Sequence, residues 1–251
     1  MNTITSRNNS VIRHIRKLAS DGDYRRESGE YVCDGAKMLE EALLAGVDIG
    51  TVLWKNGISN ASVKAKEQFL LPPDLFDYVS PMKNSPGPLF TVAIPARPQN
   101  KRISSAIILE NVQDPGNIGT VIRSASAFQI DSVILIDACA DCYNPKTVRA
   151  SMGAVFRQRI DVLRLQDLEG FLKESALSLY GAELSEDASD IRGIRFEHAA
   201  VAVGSEGRGL SRGLLDLCEK RIIIPMDPHS ESLNAAVASA VIMWEMKRQD
   251  L

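Results

Sequence analysis

The chain has 251 residues, of which 45% are hydrophobic and 24% charged, and its formal net charge is −3. This length suits one large or two small globular domains. No apolar run reaches the ~18 residues of a membrane span, and the opening residues, MNTITSRNNSVIRHIRKL, lack the apolar core of a signal peptide. Four irregularly spaced cysteines do not form a disulfide framework, so we expect a cytoplasmic protein with reduced thiols.

The first part of the chain alternates predicted helices and strands. Residues 9–20 place apolar side chains on one helical face and basic ones on the other, and a polar turn follows at 21–29. The remaining predicted elements are strands near 31–33, 49–54, 76–79 and 91–94 and helices near 35–45 and 60–70. The alternation predicts a small α/β domain over residues 1–95, followed by a polar, proline-bearing linker at 96–103.

Residues 104–251 repeat the alternation more strongly and form the second predicted domain. Short apolar runs typical of buried strands, such as AIILE at 106–110 and AAVAV at 199–203, are separated by helical segments. Successive βα units predict a parallel sheet that is covered by helices on both faces. The last unit is a strand at 222–224, a loop, and an apolar helix from Ala235 that is rich in small residues.

Positive charge is concentrated at the start of this acidic protein. Arg7, Arg13, Arg16 and Lys17 all precede the first acidic residue, Asp21. Such a patch is either a solvated helix face or a surface that attracts nucleic acid, and charge alone favours the solvated face.

Three loops follow apolar strands in the second domain, at the edge where open α/β sheets bind ligands. The first, ENVQDPGNIG at 110–119, offers Asn117 as a helix N-cap. The second, GSEGRGL at 204–210, has three glycines that could cradle a polar or anionic ligand, yet it matches neither the Walker nor the dinucleotide pattern. Its Glu206 could cap free N–H groups or be a functional carboxylate. The third loop lies between Ile224 and Asn234.

Arg123 stands out one and a half turns beyond the first loop. It lies among Val121, Ile122 and Ala125, an unusual setting for an arginine. Its stem could lie along the helix while the head forms a surface ion pair. Alternatively, its planar cation could point into a phosphate or polynucleotide site.

Taken in order, these residues resemble the three motifs of the SpoU (TrmH-like) family of RNA 2′-O-ribose methyltransferases, in the SPOUT superfamily. The matching segments are N-I-G-x-x-x-R at 117–123, G-S-E-G-x-G at 204–209, and I-P-M with S-L-N at 224–234, with NPKTVRASMGA at 144–154 between them. This resemblance covers roughly residues 104–251. In the first domain, SRNN, IRKL and YVCDGAKMLEEAL resemble the small RNA-binding domain, similar to ribosomal protein L30, that many family members carry. There Cys33-Asp34 stands where Val-Glu is more usual.

The resemblance implies an α/β fold whose C-terminal parallel sheet contains a deep trefoil knot, a feature too rare to propose from residue patterns alone. It implies S-adenosylmethionine as cofactor, held between the second and third loops mainly by backbone groups of Gly204, Ile224 and Leu233. Met226 is expected beside the adenine, because apolar walls with a few polar groups suit a flat heterocycle. It also implies a homodimer through the last helix, where the small residues at 235–240 permit close packing.

The implied reaction is methyl transfer to a ribose 2′-hydroxyl, which must be aligned with the methyl group and lose its proton. Arg123 matches the residue that assists proton loss, either as a base or by gripping a phosphate and stabilising the developing alkoxide. Because arginine keeps its proton below pH ~12, the second role demands less of it. The other motif positions, Asn117, Glu206, Ser232 and Asn234, are expected to orient the substrate and shape the pocket.

The partner implied is RNA, contacted by the basic patch and by Lys146 and Arg149. The front domain favours ribosomal RNA of the large subunit over transfer RNA. Cys139 and Cys142 resemble half a zinc site, but without a second pair we expect no metal. A non-catalytic RNA-binding protein on the same fold is the main alternative, and the loss of the motif arginine would favour it. A nucleotide-dependent oxidoreductase lacks its fingerprint.

Overall fold

The computed structural model describes residues 1–55, 62–96, 102–227, 229 and 232–248. The chain packs as two compact units, Met1–Ala96 with Asp141–Phe156, and Arg97–Ala140 with Arg157–Leu251. The division after residue 96 lies within the predicted linker, of which residues 97–101 lie outside the described part. No described helix is long and apolar enough to cross a membrane.

The first unit is built on a five-stranded mixed sheet in the order β1-β4-β3-β5-β2. Its strands are β1 (Asn2–Thr3), β2 (Glu30–Asp34), β3 (Ile49–Lys55), β4 (Glu67–Leu71) and β5 (Leu89–Ala93). Its first four helices are α1 (Ser10–Ser20), α2 (Gly22–Ser28), α3 (Ala36–Leu44) and α4 (Pro73–Val79). Strands β1, β4 and β3 run parallel, whereas β5 is antiparallel to both β3 and β2.

Helix α1 forms as predicted, and its apolar face enters the core of this unit. Asn9 caps it by accepting a hydrogen bond from the backbone N–H of Val11. Ile12, Ile15 and Leu18 are fully buried in a cluster that includes side chains of α4 and strands β2 to β5. The basic side chains of α1 are therefore left on its exposed face.

Three predicted elements of the first unit are wrong. The supposed turn at 21–29 is helix α2, which Asp21 caps and which Gly29 ends at φ 67°. Residues 67–70, expected as the end of a helix, belong to strand β4, which lies between β1 and β3. Residues 76–79, expected as a strand, belong to α4, whose Leu75, Phe76 and Val79 face inward. Apolar segments this short fit either periodicity, so tertiary packing decides between them.

The second unit contains a seven-stranded sheet in the order β10-β12-β9-β11-β6-β7-β8, in which all neighbours are parallel. Its strands are β6 (Ser105–Glu110), β7 (Ser132–Ile136), β8 (Arg159–Leu163), β9 (Ser178–Ala182), β10 (Ser189–Asp190), β11 (Ala199–Gly204) and β12 (Lys220–Ile223). Its helices are α5 (Pro115–Ala127), α7 (Leu165–Ser175), α8 (Arg212–Leu215) and α9 (Ala235–Lys247). The predicted parallel sheet is confirmed.

Helices cover both faces of this sheet. Side chains of α7 and α8 share a core with Ile108, Ile134 and Ala202, which lie on one face of their strands. Because side chains alternate along a strand, Ile107 and Leu109 point to the opposite face, where they are also fully buried. There α9 packs against α5 and β11, and α5 packs against β7.

The segment Asp141–Phe156, which the sequence analysis assigned to the second domain, packs with the first unit instead. Its helix α6 (Pro145–Ala150) lies against β2, and the ring of Tyr143 contacts that of Tyr31 with centroids 4.8 Å apart. Arg25, only 3% exposed, forms an ion pair of 2.7 Å with Asp141. Part of the predicted second domain, residues 104–251, therefore packs with residues of the first unit instead of with the rest of that domain.

Candidate active site

The three predicted loops leave β6, β11 and β12 at the carboxyl edge of the parallel sheet, where β6 and β11 are neighbours. Helix α5 is capped by Asp114, whose side chain accepts a hydrogen bond from the N–H of Asn117, and Pro115 occupies its first turn. The prediction of Asn117 as the N-cap was wrong. The side chain of Asn117 is consequently available to the other two loops.

A polar network joins one residue from each loop. Glu206 Oε1 accepts hydrogen bonds from Asn117 Nδ2 at 3.2 Å, from Asn234 Nδ2 at 2.6 Å and from the backbone N–H of Ala235 at 3.2 Å. Asn234 Nδ2 also donates to Asn117 Oδ1 at 3.1 Å. Three residues that are far apart in sequence, each predicted as a site residue, are thus in direct contact.

Glu206 and Asn234 together organise the start of α9. Asn234 Oδ1 caps the helix by accepting from the N–H groups of Ala236 and Val237. Glu206 places its carboxylate at the same helix N-terminus, where the helix dipole favours negative charge. Of the two roles considered for Glu206, capping is therefore directly visible, and it holds the second loop against the third.

Gly204 is required by the loop that follows it. A Cβ at this position would lie 2.1 Å from the carbonyl of Gly209, because the loop turns back on itself between Ser205 and Gly209. The N–H of Gly209 closes this turn by donating to the carbonyl of Ser205 at 2.8 Å. Any side chain at Gly204 would deform the loop itself before it met a ligand.

A pocket of about 430 Å³ opens between the second and third loops. All four residues predicted to contact the cofactor line it, namely Gly204, Ile224, Met226 and Leu233. Ser232 lines it as well. Its volume lies in the range of about 300–1,000 Å³ that is usual for small-ligand sites. The end of β9, with Ala182, Glu183 and Leu184, completes the wall. Sequence reasoning missed these residues because it did not give the strand order that places β9 beside β11.

A second cavity, of about 310 Å³, lies on the other side of the second loop. Its walls include residues 111–114 and Asn117 of the first loop. Both cavities share Ser205, Glu206, Gly207, Arg208 and Ala235. Glu206 and its neighbours therefore line both of these adjoining spaces, so groups bound in the two would lie next to each other.

Glu110 is a site residue that sequence reasoning missed. It is fully buried at the end of β6, beside Gly204 of β11. Its two carboxylate oxygens accept hydrogen bonds from the N–H of Ser211 at 2.7 Å and from the Ser211 hydroxyl at 2.6 Å. Glu110 thereby anchors the far end of the second loop. The signal in the sequence was a carboxylate directly after four apolar strand residues.

Arg123 is exposed on α5 and does not join the polar network. It follows Asn117 by six residues, which corresponds to ~9 Å along the helix axis and a different side of the helix. Within the described part of the chain, no hydrogen bond or ion pair holds its guanidinium. The surface ion pair considered from the sequence therefore has no acidic partner among these residues.

The remaining predicted site residues are all at the surface. The six basic residues proposed to contact RNA are exposed and lie in the first unit; they are Arg7, Arg13, Arg16, Lys17, Lys146 and Arg149. In the described residues, no cluster of three or more His, Cys, Asp or Glu side chains could hold a metal ion. The four cysteines are free thiols.

A parallel sheet whose carboxyl-edge loops meet around a ligand-sized pocket is typical of α/β domains that bind a small ligand. Residues 104–244 match the model of the SpoU rRNA Methylase family, and the chain belongs to that family.

Relatives of known name match almost the whole chain. It is 29% identical to the 23S rRNA (guanosine(2553)-2′-O)-methyltransferase RlmP of Bacillus subtilis (strain 168), over 98% of this chain and 100% of that protein. It is similar to the crystal structure of the SpoU methyltransferase AviRb from Streptomyces viridochromogenes in complex with AdoMet, with a TM-score of 0.84, 26% identity, and coverage of 96% and 99%. An RNA 2′-O ribose methyltransferase structure gives a TM-score of 0.81 at 25% identity, with 99% of both chains covered.

Proposed function

We propose that this protein transfers the methyl group of S-adenosylmethionine to a ribose 2′-hydroxyl in the RNA of the large ribosomal subunit. The observation that carries the proposal is the Asn117–Glu206–Asn234 network, which lies where a pocket of about 430 Å³ adjoins a second cavity. Family membership supports the reaction class. The Bacillus subtilis relative, named for 23S rRNA, supports the substrate, and reaction on ribosomal RNA would place the protein in the cytoplasm.

The larger pocket fits S-adenosylmethionine. Ile224, Met226 and Leu233 offer apolar surface for the adenine, and the turn after Gly204 brings backbone polar groups to the same space. When bound, the cofactor supplies a methyl group that is already activated on a sulfonium. Ser232, exposed at the pocket wall, is assigned to orienting the bound groups.

The second cavity is assigned to the target nucleoside. Asn117 lines it and is fixed by Glu206, so its position is set before the RNA arrives. We assign Arg123, whose charge has no acidic partner in the described residues, to the phosphate beside the target ribose. There it would align the hydroxyl and stabilise the charge that develops as the proton leaves.

The test is to follow radioactive methyl groups from S-adenosylmethionine into purified RNA and to map 2′-O-methyl marks in total RNA with and without the gene. We expect one mark in the large-subunit ribosomal RNA to depend on the gene. A gene-dependent mark in transfer RNA would instead identify a transfer RNA enzyme. Binding of RNA with no methyl transfer under any condition would favour the non-catalytic alternative.

The Glu110–Ser211 contact predicts a loss of cofactor affinity in Glu110→Gln. The amide keeps one acceptor oxygen, so only one of the two hydrogen bonds that Ser211 donates can be kept in this fully buried site. The second loop would loosen, and we expect calorimetry to show S-adenosylmethionine binding weakened about tenfold, as one lost buried hydrogen bond implies. The same change at exposed Glu174 should leave affinity unchanged. Parent-like affinity of Glu110→Gln would show that this anchor does not support the pocket.

We also propose that two copies associate through α9. Val237, Val241 and Trp244 follow one another at helical spacing and remain 49%, 38% and 50% exposed. The small residues that were expected at this contact face the interior of the protomer instead, since Ala236 is 3% exposed and Ser239 is fully buried. The proposed contact is therefore the larger apolar stripe, continued by the Trp244 ring, which packs edge-on against Phe128.

This stripe predicts that Val241→Glu will be monomeric, because a charge would be desolvated at the contact. Sedimentation should give twice the chain mass for the parent and one chain mass for the variant. Val162→Glu is the matched control, since Val162 is 65% exposed on β8, away from α9, and should leave the dimer intact. A monomeric parent would remove the basis for this assembly.

We further propose the knotted topology and an L30-like, RNA-binding front unit. The knot is supported by the chain path, since β12 pairs with β9 whereas the third loop and α9 return to Asn117 and α5. The RNA role of the first unit is supported by its six exposed basic residues, including Lys146 and Arg149 of α6. Point variants must test that role, because a fragment from Ser104 would strip the packing partners from Asp141–Phe156.

A further inference from the structure

Two arginines of the basic patch converge on one exposed aromatic ring in the first unit. The guanidinium carbon of Arg7 lies 4.3 Å from the ring centroid of Tyr78, and that of Arg16 lies 4.0 Å from it. Arg16 Nη1 also donates to the backbone carbonyl of Tyr78 at 3.4 Å. Tyr78 is 37% exposed near the end of α4, which packs against α1. The three side chains therefore form one surface feature.

Among the residues that the structure describes, no acidic side chain forms an ion pair with the cations of this surface. In the described part of the chain, Arg7, Arg13, Arg16 and Lys17 have no ion-pair partner. Many other exposed cations do have one; examples are the pairs Arg26–Asp23, Lys37–Glu40, Arg164–Asp167, Lys173–Glu169 and Arg192–Asp190. Because the chain as a whole is acidic, unpaired cations grouped on α1 and just before it indicate an anionic ligand.

A second cation–aromatic pair involves Lys17, the residue next to Arg16 on α1. Lys17 Nζ lies 5.0 Å from the ring centroid of Tyr24. The hydroxyl of Tyr24 is 2.9 Å from His14 Nδ1, so the ring is fixed in place. Aromatic rings interleaved with free cations are typical of surfaces that bind single-stranded nucleic acid, where bases stack and cations contact phosphates.

We propose that Tyr78, Arg7 and Arg16 form a platform on which an unpaired nucleotide of the RNA substrate stacks. A guanidinium held over a ring keeps its N–H donors for phosphate oxygens, and its outer planar face can stack on a base, so the ring of Tyr78 orders the two stacking surfaces. The bases of a duplex are already stacked on one another, so the ligand is a single-stranded loop or end rather than a helix. This inference rests on the proposed function and assigns a binding mode to its RNA.

The test measures binding of a fluorescent 12-nucleotide single-stranded RNA and of the same RNA annealed to its complement. Tyr78→Ala is expected to weaken binding of the single strand about tenfold, the effect of losing one stacked base, and to leave duplex binding unchanged. Tyr78→Phe should bind like the parent because the ring remains. S-adenosylmethionine affinity and thermal unfolding of each variant report whether the fold is intact.

The arginines are tested through the salt dependence of binding. Arg16→Gln should reduce the slope of log affinity against log salt concentration by about 0.7, the value for one phosphate contact of a single strand. Arg26→Gln is the matched control, since it removes the same charge from an arginine of the same unit that is paired with Asp23. Its slope should equal that of the parent.

Three results would overturn the platform: parent-like binding by Tyr78→Ala, equal losses on single strand and duplex, or equal slopes for Arg16→Gln and Arg26→Gln. Failure of the proposed function is distinguishable from these results. A parent protein that methylates ribosomal RNA while Tyr78→Ala binds normally would reject the platform alone. A parent protein that binds RNA through Tyr78 but transfers no methyl group would reject the function alone.

Discussion

Arg123→Ala is expected to bind S-adenosylmethionine with the affinity of the parent protein and to transfer methyl groups ~10²–10³-fold more slowly, the cost of losing one group that stabilises developing charge. The two effects separate because Arg123 lies on α5, outside the pocket of about 430 Å³ between the second and third loops. Calorimetry measures the first quantity and single-turnover methyl transfer the second. Arg212→Ala, which removes an exposed arginine from α8, should change neither.

Arg123→Lys distinguishes a phosphate clamp from a base. Lysine deprotonates near pH ~10.4, far more readily than arginine. As a base, it would regain rate as the pH rises, about tenfold per pH unit below that value. As a clamp, it lacks the planar fork of arginine at every pH. We expect a low, flat rate from neutral pH to about pH 10, the limit set by that lysine pKa, after division by the parent profile. A tenfold climb per unit would identify residue 123 as the base.

Arg25→Ala is expected to lower the free energy of unfolding by about 3–5 kcal/mol, the usual cost of removing one partner from a buried ion pair. Arg25 is 3% exposed, its Nε donates to Asp141 at 2.8 Å, and its Nη1 donates to the carbonyl of Leu18. The substitution leaves the Asp141 carboxylate without its charged partner and creates a cavity beside α1. Urea unfolding measures the loss.

The neighbouring Arg26 provides the control. Its pair with Asp23 is at the surface, with side chains 67% and 80% exposed, so Arg26→Ala should cost less than about 1 kcal/mol. Equal losses in the two variants would contradict the view that Arg25 anchors Asp141–Phe156. Loss of S-adenosylmethionine binding in a folded Arg25→Ala protein would also contradict this view. The ion pair lies in the first unit, so its removal should not change a pocket of the second unit.

Much of the second unit could be predicted from residues because its strands are buried on both faces. The continuous apolar runs SVILI at 132–136 and AAVAV at 199–203 are typical of such buried strands, and both form strands. The residues of the site could be named because three short motifs occur in the right order. Their contacts could not, since Asn117, Glu206 and Asn234 meet only through the strand order and the cap that Asp114 provides.

The wrong or missing predictions concern residues whose structure depends on packing partners that are distant in sequence, which the local sequence pattern does not indicate. The apolar residues of α4 fit a strand as well as a helix, so the sequence alone does not indicate that Tyr78 lies at the surface. Glu110 ends a run of apolar residues, and only the fold shows that it turns inward to Ser211. Nothing in the sequence of Asp141–Phe156 indicates that it packs with a unit whose other residues precede it by more than forty positions.

The packing of Asp141–Phe156 bears on how such a protein can be rearranged in evolution. The backbone passes from one unit to the other at three places, after Ala96, after Ala140 and after Phe156, rather than once. A genetic exchange at the first of these places would replace the residues up to Ala96 but keep Asp141–Phe156. Tyr143 and Arg149 would then pack in a unit whose other residues came from a different protein. The two halves are therefore expected to be inherited together, and substitutions in α6 to track those in β2.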